Sequence, residues 1–177
     1  MRNLFIFLVI GITASSCVQE LTPYTSRVHR ETGLSGEQLK KVQFYNSQRI
    51  VLYREVGKNT TEVVSGEIKI IDGKRIEQVV INPNTPGVLV SAPNSDRFGV
   101  SFEKGPDRFL IFGSNSKRRG YYAILARDWT GSSAKIDYDG KVYKLAPESS
   151  EAILLVNMKK LRSMKVNSRT AGGIRIQ

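Results

Sequence analysis

Hydrophobic and polar positions along the chain follow three regimes. Leu4-Phe5-Ile6-Phe7-Leu8-Val9-Ile10-Gly11-Ile12 is one apolar run, residues 18–34 have no apolar period, and from Val42 onward β-branched and aromatic residues come in short runs broken by Gly, Pro, Asn and Asp. Those runs predict strands at 42–45, 48–55, 79–81, 88–91, 98–102, 109–112, 120–126 and 152–156. Several are too apolar to be exposed on both faces. From Met158 basic residues alternate with Leu161, Met164 and Val166 before Gly172-Gly173-Ile174-Arg175-Ile176, which predicts a long ribbon with a small final strand.

Two Asp-Gly pairs mark hairpins. With Asp139-Gly140 as a two-residue loop, Tyr138 faces Lys141, Ile136 faces Tyr143 and Ala134 faces Leu145, which separates an apolar face from a wet one carrying Lys135, Asp137, Val142 and Lys144. The same loop at Asp72-Gly73 sets Ile68 opposite Glu77. A three-residue loop that includes Lys74 pairs Ile70 with Ile76 instead, and is the expectation there. Ser35, with Gln38 three residues on, has the form of a capping box and predicts one short helix. Short strands at roughly ten-residue spacing behind that helix predict a mainly β domain over 35–177, an antiparallel sandwich or partly open barrel.

The first apolar run is about nine residues, against the roughly 20 needed to span a bilayer, and small residues follow it. Residues 1–16 therefore read as an export signal. Its end, Thr13-Ala14-Ser15-Ser16-Cys17, resembles a bacterial lipoprotein signal, although Ala14 stands where such signals usually carry Leu. The resemblance implies cleavage before Cys17, a thioether-linked diacylglycerol on its sulfur and a further acyl chain on its new amino group. Ordinary secretory cleavage after the small residues is the alternative, and it would leave Cys17 as a free thiol. As the only cysteine, Cys17 excludes a disulfide framework and thiolate metal sites. Residues 17–34, with Pro23, Gly33 and scattered charges, read as the lipidated cysteine and a flexible tether, and the lone histidine, His29, as a solvated residue within it.

Export changes the meaning of the charge. The net charge is +11, and +10 once Arg2 leaves with residues 1–16. An exported chain meets anionic lipid headgroups, lipopolysaccharide phosphates, peptidoglycan carboxylates or acidic protein faces and no nucleic acid. Lys117-Arg118-Arg119, between two predicted strands, is the sharpest cationic cluster and a candidate site for phosphate or carboxylate groups. Trp129 is a candidate platform for a sugar, with Tyr121 or Tyr122 nearby.

Catalytic patterns are missing. A single His admits no His-based zinc motif, no Gly-rich phosphate loop is present, and no serine sits in a Gly-x-Ser-x-Gly elbow. Asp72 and Asp139 are explained by their turns, as are Asp96 and Asp107, and nothing pairs Asp128 with Glu103 as glycoside hydrolysis would require. The expectation is a protein without enzymatic function, cofactor or metal.

The lipid-attachment cysteine, the Leu34-Ser35-Gly36-Glu37-Gln38-Leu39 helix running into Val42-Gln43-Phe44-Tyr45, and the Ala152-Ile153-Leu154-Leu155-Val156 strand resemble an uncharacterised envelope lipoprotein of Bacteroides-type bacteria. That resemblance implies no known reaction; joined to the anchor and the basic charge, it leads to the expectation of a non-enzymatic, membrane-tethered interaction or structural component of the cell envelope that docks on an acidic envelope protein. In that group a short acidic run after the cysteine accompanies export to the cell surface. Here Val18-Gln19-Glu20-Leu21 carries one acid, which implies the outer membrane on its periplasmic side. A module for an anionic glycan or lipid headgroup, using Lys117, Arg118, Arg119 and Trp129, is the second expectation.

Overall fold

A computed structural model describes residues 20–57, 67–130 and 133–164, so Cys17 and the expected final strand at 172–176 lie outside the described residues. The strands in chain order are β1 (Thr22–Pro23), β2 (Gln43–Asn46), β3 (Ile50–Glu55), β4 (Glu67–Ile71), β5 (Lys74–Ile81) and β6 (Pro86–Asn94). They continue as β7 (Arg97–Ser101), β8 (Phe109–Asn115), β9 (Tyr121–Ile124), β10 (Asp128–Thr130), β11 (Ser133–Tyr138), β12 (Lys141–Leu145) and β13 (Leu154–Val156). Three short helices accompany them: α1 (Ser26–Thr32), α2 (Gly36–Leu39) and α3 (Met158–Ser163). The protein is mainly β, built from two antiparallel sheets.

One sheet has the order β1-β13-β2-β6-β7-β8-β9 and rolls towards closure. At its far edge Ala123 of β9 bridges Ile153, and Ile124 N donates to Ala152 O at 3.0 Å. Further along, β9 and β13 diverge, and the chain after β1 fills the gap: Tyr24 N donates to Leu154 O (2.8 Å) while Tyr24 O accepts from Tyr122 N (3.2 Å). The result is a partly open barrel wedged by its first strand. Its interior holds Tyr24, Phe44, Phe98, Phe112 and Tyr122, all fully buried. Phe98 and Tyr122 stack at 4.6 Å, and Tyr24 meets Phe44 edge-on at 5.3 Å. Each such side chain contributes about 1.5–3 kcal/mol through burial alone. Gly87 is required where β6 passes Phe102, because a Cβ there would lie 2.7 Å from that ring.

The second sheet, β10-β11-β12-β3-β5-β4, lays Ala134, Ile136, Tyr138, Tyr143, Leu145, Leu52 and Val79 into the same core. Asn46 pins the place where the chain crosses between sheets. Its Nδ2 donates to Gln48 O (2.7 Å) and Asn82 O (2.8 Å), and its Oδ1 accepts from Thr85 N (2.8 Å), so one fully buried amide ties the β2–β3 and β5–β6 connections.

Residues 20–34 are no flexible tether. Thr22 and Pro23 pair with Val156 and Leu155, Tyr24 enters the core, and α1 is capped by Thr25 Oγ1, which accepts from Val28 N (3.0 Å), and ended by left-handed Gly33. His29 is accordingly half-buried, with Nδ1 2.9 Å from Tyr24 OH and its ring 5.5 Å from that of Phe98. The capping box at α2 forms as expected: Ser35 Oγ accepts from Gln38 N and Gln38 Oε1 from Ser35 N. The stretch from Met158, expected as a ribbon, begins as α3, because Asn157 Oδ1 accepts from Lys160 N (3.0 Å) and Met158, Leu161 and Met164 recur at helical spacing against the core.

The Asp139-Gly140 hairpin has the expected register, Tyr138 to Lys141, Ile136 to Tyr143 and Ala134 to Leu145. At Asp72-Gly73 the longer loop is wrong. Both residues take positive φ (49° and 73°), the turn has two residues, and Ile71 pairs with Lys74 and Ile68 with Glu77. The reason is that Glu77 points inward, as taken up below.

Candidate functional site

Phe109 and Ile111 alternate along β8 with buried Leu110 and Phe112, so they project from the outer face of the barrel. Beside them β7 sets Ser101 opposite Phe109 and Gly99 opposite Ile111, and Gly99 is covered by the Phe109 ring and Ser91, each 3.1 Å from where a Cβ would stand. Ile136 and Tyr138 of β11 rise opposite, and the segment Leu125-Ala126-Arg127, which carries the chain from β9 to β10, closes one end. Between these walls lies a cleft of about 630 Å³, within the range of small-ligand sites. Leu125 reaches its place because β8 has glycine at position 113: a Cβ there would lie 2.4 Å from Leu125 Cδ1.

Charges rim the apolar floor. Arg127 Nη1 lies 3.3 Å from Asp137 Oδ1, an exposed pair. Arg97 and Asp107 also line the cleft, and Arg97 has no ion-pair partner among the described residues. Asp107 takes a left-handed backbone (φ 55°), and its carbonyl accepts from Asp139 N (2.8 Å), which ties the β7–β8 loop to the β11–β12 turn. Arg108 Nε to Asp139 Oδ1 (3.2 Å) reinforces that tie. At the base Tyr138 OH donates to Glu103 Oε1 at 2.5 Å; burial first, and then this bond, push the Tyr138 phenol well above its usual range and keep it protonated. The arrangement offers an apolar trough with one unpaired guanidinium. It suits a segment that brings an apolar group and an acid together.

The residues expected to bind a ligand are dispersed. Lys117 and Arg119 are exposed in a 3₁₀ turn between β8 and β9, Arg119 with a left-handed backbone, while Arg118 is half-covered and bound to the Glu151 carboxylate and, at 3.5 Å, to Ser150 O. The three cations are thus not exposed as a group, because the middle one holds the turn against the segment before β13. Trp129 is 51% exposed on edge strand β10, opposite Ala134. It lies two residues beyond Arg127, at the far end of β9 from the 117–119 turn. Tyr122 is inside the barrel, and Tyr121 sits beside Thr25, so neither joins Trp129 in a stacking platform.

Sequence reasoning missed Arg97, Phe109 and Ile111 as site residues. A signal was present in 109–112, which is apolar on both faces and so needs two covers. Among the described residues no group of three or more His, Cys, Asp or Glu gathers for a metal, and no helix is long and apolar enough to cross a membrane. Comparison with protein-family models, curated proteins and solved structures returns no match.

Proposed function

We propose that this chain is a non-enzymatic, membrane-tethered lipoprotein of a bacterial cell envelope, anchored by acyl chains on Cys17, whose basic domain docks on an acidic envelope protein. The observation that carries the docking is the cleft: an apolar floor of Phe109 and Ile111 with the unpaired Arg97 on its rim and the exposed Trp129 just outside it. Exposed aromatic and Arg side chains around an apolar pocket are the composition of interface anchors. The chemistry expected of the partner is an acidic segment with one apolar side chain for the trough. Localisation to the outer membrane, facing the periplasm, follows from the signal and the single acid after Cys17.

Capture tests this reading. A photo-crosslinking residue at position 129 of the acylated protein in detergent-solubilised envelope is expected to yield one stoichiometric protein adduct, lost in Arg97→Glu. Crosslinks to polysaccharide or lipopolysaccharide instead, unaffected by Arg97→Glu, would overturn it in favour of a glycan or lipid-headgroup module. In that second reading Lys117 and Arg119 remain exposed and free to meet phosphate groups.

A further inference from the structure

The three helices gather at one end of the barrel, the end at which the described chain begins. β1 starts beside the C-terminal end of β13, since Thr22 pairs with Val156, and α3 follows one residue later. Phe44 pairs with that same Val156, so α2 and the residues before β2 lie there too. α1 joins them through contacts of His29 with Phe98 and Tyr122, and Glu31 of α1 feels Arg162 of α3.

This cap is basic. Arg30 on α1, Lys40 and Lys41 at the end of α2, and Lys159, Lys160 and Arg162 on α3 are all exposed. The acids of the helices are committed, Glu31 to Arg27 and Glu37 to Lys40, which leaves Glu20 at the chain's entry and Asp96 of the β6–β7 turn, close enough to act on His29. On β6, Val88 pairs with Ser101 on one side and Gln43 on the other, and Val88 and Val90 remain 48% and 45% exposed, adding apolar groups at the rim.

We propose that this helical cap rests against an anionic phospholipid surface. The inference rests on acylation of Cys17, the reading given above. Glu20 stands three positions beyond Cys17, a span that fully extended reaches roughly 10–11 Å, while the headgroup layer on each side of a bilayer is itself about 5–7 Å thick. An acylated Cys17 therefore draws the cap to the headgroups, within about a Debye length at physiological salt. With acylation the cations of the cap act on lipid phosphates and fix which way the domain faces. β9 runs away from the cap, so Trp129, which follows it, is turned towards the aqueous space where a protein partner arrives.

The test uses the acylated full protein in vesicles of phosphatidylcholine with or without phosphatidylglycerol. The sulfur of Cys17 is then blocked as a thioether, so a cysteine introduced as Lys160→Cys on the cap, or Lys104→Cys in the loop at the other end of β7, is labelled alone. A fluorophore at position 160 is expected to be quenched by headgroup-borne spin labels far more than one at 104, and more so with phosphatidylglycerol. Charge reversal at Lys159 and Arg162 should remove that difference. In a chain with Cys17→Ser, sedimentation with phosphatidylglycerol vesicles should be salt-sensitive and fall by at least about tenfold on the same charge reversal. Equal quenching at 160 and 104 on vesicles that carry the acylated protein would overturn the orientation while leaving the anchor intact. An unmodified Cys17 in the mass spectrum of the mature protein would overturn the anchor itself. Retained binding of Cys17→Ser chains with the charges reversed would overturn the electrostatic contact.

Discussion

Arg54 and Glu77 face each other across the β3–β5 pair, the Arg54 guanidinium 2.5 Å from a carboxylate that is 1% exposed. Lys141 Nζ stands 4.0 Å from the other oxygen, and the Arg54 guanidinium lies 5.7 Å from the centroid of the buried Tyr143 ring. A carboxylate this far from water is stable only while a cation answers it. Arg54→Ala is therefore expected to destabilise the domain by about 3–5 kcal/mol, more than truncation of an exposed pair such as Lys74–Glu55, for which about 0–1 kcal/mol is expected. The triple variant Arg54→Met, Glu77→Leu, Lys141→Met, which also removes the buried amine that Glu77 answers, should recover most of the loss, as read by urea unfolding of each.

The same pair explains a register that alternation alone misreads. At Asp139-Gly140 apolar residues inside and polar residues outside agree with a two-residue turn, so the hairpin is legible from the twelve consecutive positions 134–145. At Asp72-Gly73 the true register sets Ile68 opposite Glu77, which looks wrong until Arg54, 23 residues earlier, is known to share that face. Other features depend on partners still further away. Tyr24 is a core residue because β1 pairs with β13, near the other end of the chain, and nothing in residues 18–34 has the apolar period that would announce it. The caps there, Thr25 and Gly33, are local signals and readable. The cleft needs β8, the β9–β10 connection and β11 together, so only the two-sided apolarity of 109–112 could have pointed to it.

His29 makes stability respond to acid. Its ring is half-buried against Tyr24, Phe98 and Tyr122; burial lowers its pKa most, nearby Arg30 lowers it further, and Asp96 partly offsets both. With the folded value below the unfolded 6.5, the unfolded chain binds more protons in the interval between them. The contribution is present above pH 6.5 and is lost as pH falls through the lowered folded pKa. Melting temperature should drop across that interval, and His29→Gln should flatten the drop.

Tyr122 acts at the alkaline side. Burial, reinforced by Asp96, pushes its phenol up to about 12 from 10.0, and its hydroxyl donates to Ser95 O. A raised folded value means stability that is complete below pH 10 and lost as pH rises towards about 12. Burial raises Tyr24 in the same direction. Tyr122→Phe should weaken the alkaline loss, measured as urea midpoints between pH 9 and 11.5.

Asn46 offers a test of the crossing between sheets. Asn46→Ala removes two side-chain donors and one acceptor from buried surroundings and leaves the carbonyls of Gln48 and Asn82 without them. A loss of about 2–3 kcal/mol is expected. Asn46→Asp should be comparably damaging, because it keeps the acceptor for Thr85 N but sets a carboxylate against two carbonyl oxygens. A stability equal to wild type in either variant would mean that the two connections hold without the pin.

Gly113 and Leu125 connect stability to the cleft. Leu125 N donates to Ile111 O at 2.7 Å, so its backbone is fixed, and the side chain can lie across β8 only because position 113 has no Cβ. Gly113→Ala must push Leu125 aside, at a cost of about 1–3 kcal/mol. Since Leu125 lines the cleft and is 37% exposed, the room it yields to the new methyl group is taken from the trough. Gly113→Ala is therefore expected to lower both the unfolding midpoint and the yield of crosslinked partner at position 129. Adding Leu125→Ala relieves the clash and should restore the midpoint, with crosslinking recovering only in part because one apolar wall is missing. If the double variant remained as unstable as Gly113→Ala alone, the glycine would serve the β7–β8–β9 pairing itself and the link to Leu125 would fail.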